Sequence, residues 1–160
     1  MGHHALYEKG FSPRTEADLI NEGLPVCPAV VPGCVERDLA LAGVLPEDLA
    51  YGDNILRCQE LERTHFFYTA SFETEETKDD LFLCFGGIDT VSEIFVDGAL
   101  LGKTENMLIP HEFSLRGLPP GRHELLVHLI PVSVYVMEKD LPAAGWALRY
   151  NLDSLYVRKA

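Results

Sequence analysis

The sequence predicts an all-β fold of the sandwich type, and three features of the pattern indicate it. Short apolar or alternating segments recur over residues 65–129, and turn-forming residues separate them. Asp97-Gly98 is a strong two-residue hairpin signal, because both central positions of such a turn favour a positive φ. Pro119-Pro120-Gly121 marks a further turn. Short strands that recur about every 8–12 residues, with turns between them, are typical of β-sandwiches.

A short helix is predicted ahead of the sheet. Thr15 can cap a helix over residues 16–21, and Gly23 can end it. We therefore expect a helical N-terminal lead-in over residues 1–24 and a β-sandwich domain over residues 25–160.

Before the first strand, the chain is predicted to wrap over the sandwich. Pro25, Pro28 and Pro32 favour extended, irregular backbone. Residues 35–42 have a helical composition that ends at Gly43.

The β signal is predicted to begin at Leu56. Residues 65–72 are rich in aromatic side chains and suit a strand. The continuous apolar run of residues 81–85 is typical of a central strand, so Cys84 within it is expected to be a buried free thiol.

Residues 92–96 alternate in polarity and are predicted to form the first strand of the hairpin. Ile94 and Val96 would then share one face, while Glu93 and Phe95 would share the other. We expect Glu93 to lie on a solvated face of this strand.

The last predicted strand covers residues 123–129. Beyond Pro131 the pattern weakens, although the β-branched residues 132–137 favour a continuation of the strand. Trp146 lies in a region of loop-like composition.

The length of 160 residues favours a single domain, and the charge balance limits its partners. Lys and Arg total 13 against 25 Asp and Glu, a formal net charge of −12. Such a surface repels phosphate backbones and anionic lipid, so we expect neither nucleic acid nor a membrane as a partner. The N-terminus has no apolar stretch of the kind found in signal peptides, because the charged residues Glu8 and Lys9 occur early. The absence of a signal-peptide pattern predicts a cytoplasmic location.

No metal or other cofactor is predicted. The sequence contains four cysteines, Cys27, Cys34, Cys58 and Cys84. They form no Cys-x-x-Cys pair, and no histidine stands at zinc-ligand spacing from them. His123 and His128 are expected to be residues of the sheet rather than ligands.

Short motifs follow one another along the chain: Val31-Pro32-Gly33-Cys34-Val35, Asp38-Leu39, Tyr51-Gly52-Asp53-Asn54, Gly87-Ile88-Asp89-Thr90, Asp97-Gly98, Asn106-Met107 and Tyr156-Val157-Arg158-Lys159-Ala160. Their order and spacing resemble the N-terminal sugar-binding domain of glycoside hydrolase family 2, most closely that of the β-mannosidases. The β-galactosidases and β-glucuronidases share this domain and are the alternatives. Each motif is short, and it is the combination that makes the resemblance specific.

The resemblance implies a jelly-roll β-sandwich of the galactose-binding-domain type. It also implies an accessory N-terminal domain of a retaining exo-β-glycosidase, which packs on the catalytic barrel domain of the parent enzyme and shapes its pocket for a β-linked terminal sugar. In this family both catalytic glutamates lie on the barrel, so we expect no catalytic residue in this chain. The alternatives are a stand-alone carbohydrate-binding module on the same scaffold and a structural or protein-interaction β-sandwich.

The candidate carbohydrate-binding residues are Tyr51, Asp53 and Asn54. Sugar sites combine an aromatic face with carboxylate and amide groups that bind hydroxyls, and this short loop holds all three. The alternative interpretation is a capped turn, in which Asp53 or Asn54 bonds its own backbone.

Other motif residues are expected to have structural roles. Asp89 and Thr90 would hold the turn before the hairpin strand by local hydrogen bonds. Asp97 and Gly98 would form the hairpin turn, and Asn106 would close the loop that follows.

The family continues beyond the Arg-Lys segment into further strands, and this sequence ends first. We therefore expect a sheet edge or an apolar groove to be uncovered, and to be filled by residues after Pro131 or by a second copy of the chain.

Overall fold

The computed structural model describes residues 2–6 and 12–138. Its strands are β1 (Gly2–Leu6), β2 (Val26–Cys27), β3 (Thr64–Thr74), β4 (Phe82–Phe85), β5 (Val91–Val96), β6 (Ala99–Thr104), β7 (His111–Ser114) and β8 (Gly121–Ile130). Its helices are α1 (Glu16–Asn21), α2 (Val35–Leu41), a 3₁₀ helix (Asn54–Arg63) and α3 (Val132–Glu138).

The fold is mostly β, with antiparallel strands in two sheets. The larger sheet has six strands in the order β2-β1-β3-β8-β5-β6, and the smaller sheet pairs β4 with β7. All the strand pairs within the described ranges are antiparallel. The central pair, β3 and β8, is in register from Phe66 opposite Leu129 to Thr74 opposite Gly121. A β-sandwich is therefore confirmed, while the jelly-roll connectivity stays a prediction.

Both faces of the larger sheet are buried. On one face Phe67, Phe95 and Leu126 pack together against Leu19 of α1. On the other face Ile94 and Val127 pack against the inner side chains of the smaller sheet. Neighbouring residues of one strand point to opposite faces, so this arrangement explains why the central strands are apolar at consecutive positions.

A helical layer covers the β1 and β3 side of the larger sheet. Leu39 and Leu45 form a core cluster with Cys27, and Leu61 and Phe66 pack against it. The second layer over the larger sheet thus consists of the small sheet over one half and of helices over the other.

The N-terminal helix begins and ends where the sequence predicts. The Thr15 hydroxyl accepts a hydrogen bond from the Asp18 amide (3.2 Å), and the Asp18 carboxylate accepts one from the Thr15 amide (2.9 Å). This capping box satisfies donors that the first turn leaves open. The backbone hydrogen bond from Arg14 and those from Thr15 lower the pKa of Asp18.

The Asp97-Gly98 turn connects β5 to β6 as predicted. Asp97 has φ 50° and Gly98 has φ 76°, the conformation that a two-residue hairpin turn demands. A side chain at Gly98 would also approach the Thr15 methyl group at 3.2 Å. The turn therefore lies against the start of α1.

Three expectations about secondary structure are wrong. Residues 81–85 were expected in a central strand, but β4 lies in the two-stranded sheet, with Leu83 inside and Cys84 exposed. Asn54–Arg63 is a 3₁₀ helix, although β structure was expected from Leu56. The residues after Pro131 form α3 rather than a strand extension. Packing of α3 on the 3₁₀ helix overrides the β propensity of its valines.

Trp146 and the motif at residues 156–160 lie outside the described residues. Among the described residues, no helix is long and apolar enough to span a membrane.

Candidate functional site

The Tyr51–Asn54 segment is a hydrogen-bonded turn that leads into the 3₁₀ helix. The Asp48 carbonyl oxygen accepts from the side-chain amide of Asn54 (2.8 Å) and from the Tyr51 amide (3.4 Å). The Asp48 carboxylate accepts from the Ala50 amide (3.0 Å). Gly52 has φ 57°, which a residue with a side chain rarely adopts.

The three candidate sugar-binding residues differ in their availability. Tyr51 is 76% exposed, and Asp53 is exposed at the start of the 3₁₀ helix without a side-chain cap bond. Asn54 is half-buried and uses its amide to hold the turn. The structure therefore brings an aromatic ring and a carboxylate to the surface of one turn, and the amide lies behind them.

An open groove of about 450 Å³ lies between the loop that follows α2 and the 3₁₀ helix. Its lining residues come from that loop and from the 3₁₀ helix: Gly43, Val44, Leu45, Pro46, Arg57 and Leu61. Tyr51, Asp53 and Asn54 are not among them. The groove offers apolar surface, which is suited to an apolar side chain from a partner.

Asp38 is a buried carboxylate to which the sequence analysis gave no role. Its carboxylate accepts from the Val30 amide (3.3 Å) and from the Tyr68 hydroxyl (3.4 Å). Burial, followed by the nearby Asp38 carboxylate, raises the pKa of the Tyr68 hydroxyl. Both side chains line a cavity of about 10 Å³, which is about the space one water needs. Asp38 thus anchors the loop ahead of α2. In the sequence, the feature that could have pointed to Asp38 is its place in the Asp38-Leu39 motif.

Asp97 and His123 connect the hairpin turn to β8. Nδ1 of His123 lies 2.7 Å from the Asp97 carboxylate, and that carboxylate also accepts from the Glu124 amide (2.9 Å). On the other side of the ring, Nε2 lies 2.9 Å from the Pro119 carbonyl oxygen and 3.1 Å from the Thr74 hydroxyl.

This Thr-His-Asp connectivity is structural rather than catalytic. The Thr74 hydroxyl donates its own proton to the Pro119 carbonyl (2.8 Å). Both nitrogens of His123 lie within hydrogen-bond distance of a carboxylate or main-chain oxygen, so the ring is committed to holding the turn against β8. The hydrogen bond to Asp97 raises the pKa of His123.

The same contacts lower the pKa of Asp97. Partial burial of the carboxyl acts in the opposite direction, but the hydrogen bonds from the Glu124 amide and from His123 outweigh it. The contact therefore favours the charged form of both side chains.

Asp89, Thr90 and Asn106 occupy turns held by local hydrogen bonds. The Thr90 hydroxyl donates to the Asp89 carboxylate, and the Thr90 carbonyl accepts from Thr104 (3.2 Å). The side-chain carbonyl of Asn106 accepts a hydrogen bond from the Leu108 amide (2.9 Å). The backbone carbonyl of Asn106 accepts one from Nε2 of His111 (2.8 Å).

Glu93 does not lie on a solvated face, and this expectation is wrong. Its side chain is 19% exposed and lies between Lys103 of β6 (2.6 Å) and His128 of β8 (3.7 Å). The register places these residues opposite each other across three strands. Sequence alternation predicts on which face of the strand Glu93 lies, but not which residues of the neighbouring strands lie beside it. The burial of Glu93 could therefore not be predicted.

Within the described ranges, no three histidine, cysteine, aspartate or glutamate side chains are grouped to hold a metal ion.

Comparisons with known proteins identify related sequences and folds. A model of the family described as glycosyl hydrolase 2 galactose-binding domain-like matches residues 12–160. The β-mannosidases of Rattus norvegicus and Mus musculus are each 31% identical over 91 residues, which is 55% of this chain and 10% of each relative. The crystal structure of β-D-mannosidase from Dictyoglomus thermophilum is 30% identical, covers 89% of this chain and has a TM-score of 0.65. This chain covers 16% of that protein, so it spans a small part of the relatives it matches.

Proposed function

This chain belongs to the glycosyl hydrolase 2 galactose-binding domain-like family, and we propose that it is the accessory N-terminal domain of a retaining exo-β-glycosidase of the β-mannosidase type. The match over residues 12–160, nearly the whole sequence, carries this proposal. The similarity to β-mannosidases in both sequence and structure supports the choice of sugar.

The helical layer supports a role in docking to a catalytic barrel. Several of its large apolar side chains are at least half exposed: Leu41, Val44, Ile55 and Leu56. Val44 also lines the open groove with Arg57. Exposed apolar groups beside a groove are typical of surfaces that another domain covers.

The Tyr51 turn is our candidate for contact with the sugar. The ring of Tyr51 offers an apolar face, and Asp53 offers a carboxylate for hydroxyl groups. Both belong to the turn that precedes the 3₁₀ helix of the proposed docking surface. In the assembled enzyme they would form part of the rim of the sugar pocket, while the barrel would supply the chemistry.

The proposed accessory role can be tested on the native polypeptide in an extract of the source cells. An antibody raised against this chain is used to deplete a cell extract, and hydrolysis of aryl β-mannosides, β-galactosides and β-glucuronides is measured before and after. We expect β-mannosidase activity to be lost with the antibody. An extract that keeps all three activities would contradict the proposal.

The sugar contact has its own test in the enzyme that contains this chain. Tyr51→Ala and Asp53→Ala are expected to raise the KM for the β-linked substrate several-fold, and Glu75→Ala serves as an exposed acidic control. Kinetics identical to the control would contradict a role at the pocket rim. Affinity of the isolated chain for the sugar would instead favour a stand-alone binding module.

A further inference from the structure

Two buried histidines join the two central strands of the larger sheet. His65 lies on β3 and His128 on β8, and each is 5% exposed. Nδ1 of His65 lies 2.6 Å from Nε2 of His128. The His128 ring stacks on Phe67, with centroids 4.4 Å apart. This pair has no part in the proposed sugar site.

A single proton lies between the two rings. At 2.6 Å one nitrogen donates and the other accepts, since two N–H groups could not face each other at that distance. Nδ1 of His128 is buried and has no hydrogen-bond partner among the described residues. It lies 3.7 Å from the Glu93 carboxylate. When His65 donates, His128 carries its proton on Nδ1, directed at that carboxylate.

A positive charge on His128 would have the Glu93 carboxylate beside it, but that carboxylate is already engaged. The other oxygen of Glu93 is bound by Lys103 of β6 at 2.6 Å. On β3 the neighbour is His65, itself a base. The helix α1 packs on Phe67 through the apolar Leu19 and holds Glu16 on the Thr69 hydroxyl.

We propose that the His65–His128 pair is an acid-sensitive latch between β3 and β8, closed while one ring can accept the proton of the other and opened when both rings are protonated. Two imidazolium ions would place two N–H groups face to face and would bury positive charge in the centre of the sheet. Opening would separate the strands that carry Phe67 and Leu126 of the core. Burial, and secondly the proximity of His65, lower the pKa of His128 to about 3.

The direction of the pH effect follows from this arrangement. The unfolded chain takes up protons on its histidines near pH 6.5, whereas His128 in the folded chain stays neutral to much lower pH. The stabilisation is therefore fully present above pH 6.5 and is lost as the pH falls. Because His128 remains neutral in the folded chain, its contribution raises the unfolding equilibrium constant about tenfold per pH unit below that value.

The first test is a titration of the folded chain followed by NMR of the histidine ring carbons. We expect the His128 signals to stay constant from pH 7.5 to about pH 5, until the protein unfolds. A midpoint near pH 6.5 for His128 while the fold persists would overturn the proposal.

The second test compares the pH dependence of unfolding in two variants. The double variant His65→Leu, His128→Phe removes both titrating groups and leaves no orphaned polar atom. We expect its unfolding constant to rise less steeply between pH 6.5 and 4.5, while His111→Gln on β7 keeps the wild-type profile. A double variant with the wild-type slope would contradict the latch. If it does not fold, the NMR titration decides.

Discussion

Single residues in this domain are often fixed by neighbours that are remote in sequence. Asp38 binds Val30 and Tyr68, and Asp97 binds His123. The sequence predicts the turn role of Asp97 because Asp-Gly has a local conformational signature. It does not predict the partners, since those depend on which strands become neighbours in the sheet.

Gly102 provides a residue-scale test of packing between the two sheets. A Cβ added there would lie 2.1 Å from the Phe113 ring, so Gly102→Ala requires that ring or the strand to move. We expect a loss of about 1–3 kcal/mol in the free energy of unfolding, measured by urea denaturation. Gly86→Ala is the control, because no atom lies within 4 Å of its added Cβ. Equal stability of both variants would contradict the packing described here.

The Asp97–His123 pair predicts a pH effect opposite to that of the buried histidine pair. The pKa of His123 is raised, so its stabilisation is fully present below pH 6.5 and is lost as the pH rises through the folded-state value. We expect the Tm of the wild-type chain, measured by thermal melting, to decline between pH 6 and 9. In His123→Gln this decline should be smaller. An unchanged decline in the variant would show that the pair does not contribute.

At the scale of elements, local cap and turn signals are reliable, whereas residue composition predicts sheet membership and helix α3 poorly. The Thr15 cap and the Asp97-Gly98 turn are local, and the predicted helix and hairpin are both present. The position of β4 in a two-stranded sheet depends on distant pairing with β7. The helix α3 was missed because its contacts with the 3₁₀ helix override its β-branched composition.

The docking of α1 on the sheet can be tested with two neighbouring residues. Leu19 is completely buried against Phe67, whereas Ile20 is 63% exposed. We expect Leu19→Ala to cost about 2–5 kcal/mol of unfolding free energy. Ile20→Ala should change it by less than about 0.5 kcal/mol. Chemical denaturation of both variants measures the difference, and a similar cost for the two would show that α1 does not pack as described.

At the scale of the whole molecule, the order of motifs predicted the family before the fold was known. The match over residues 12–160 confirms that prediction, and the β-sandwich follows from the two antiparallel sheets. The sugar-binding role of Tyr51, Asp53 and Asn54 stays a prediction, because loop residues of this kind also serve as turn formers.

Self-association is a prediction at this scale. Both strands of the small sheet pair only with each other among the described residues, and Phe82 on β4 is 51% exposed. Such an edge can pair with another chain. We expect the isolated chain to form dimers at high concentration in light scattering, and Phe82→Lys to weaken them. A strictly monomeric chain at all concentrations would contradict this prediction.

The accessory role in a β-mannosidase-type enzyme is tested most directly by covalent labelling of a cell extract with a mechanism-based β-mannoside inactivator, followed by precipitation with an antibody against this chain. We predict that the label is recovered on a polypeptide many times larger than 17.8 kDa. Stoichiometric label on a 17.8 kDa chain would show that the chain itself is catalytic. Recovery of the chain without any labelled polypeptide would contradict the proposed function.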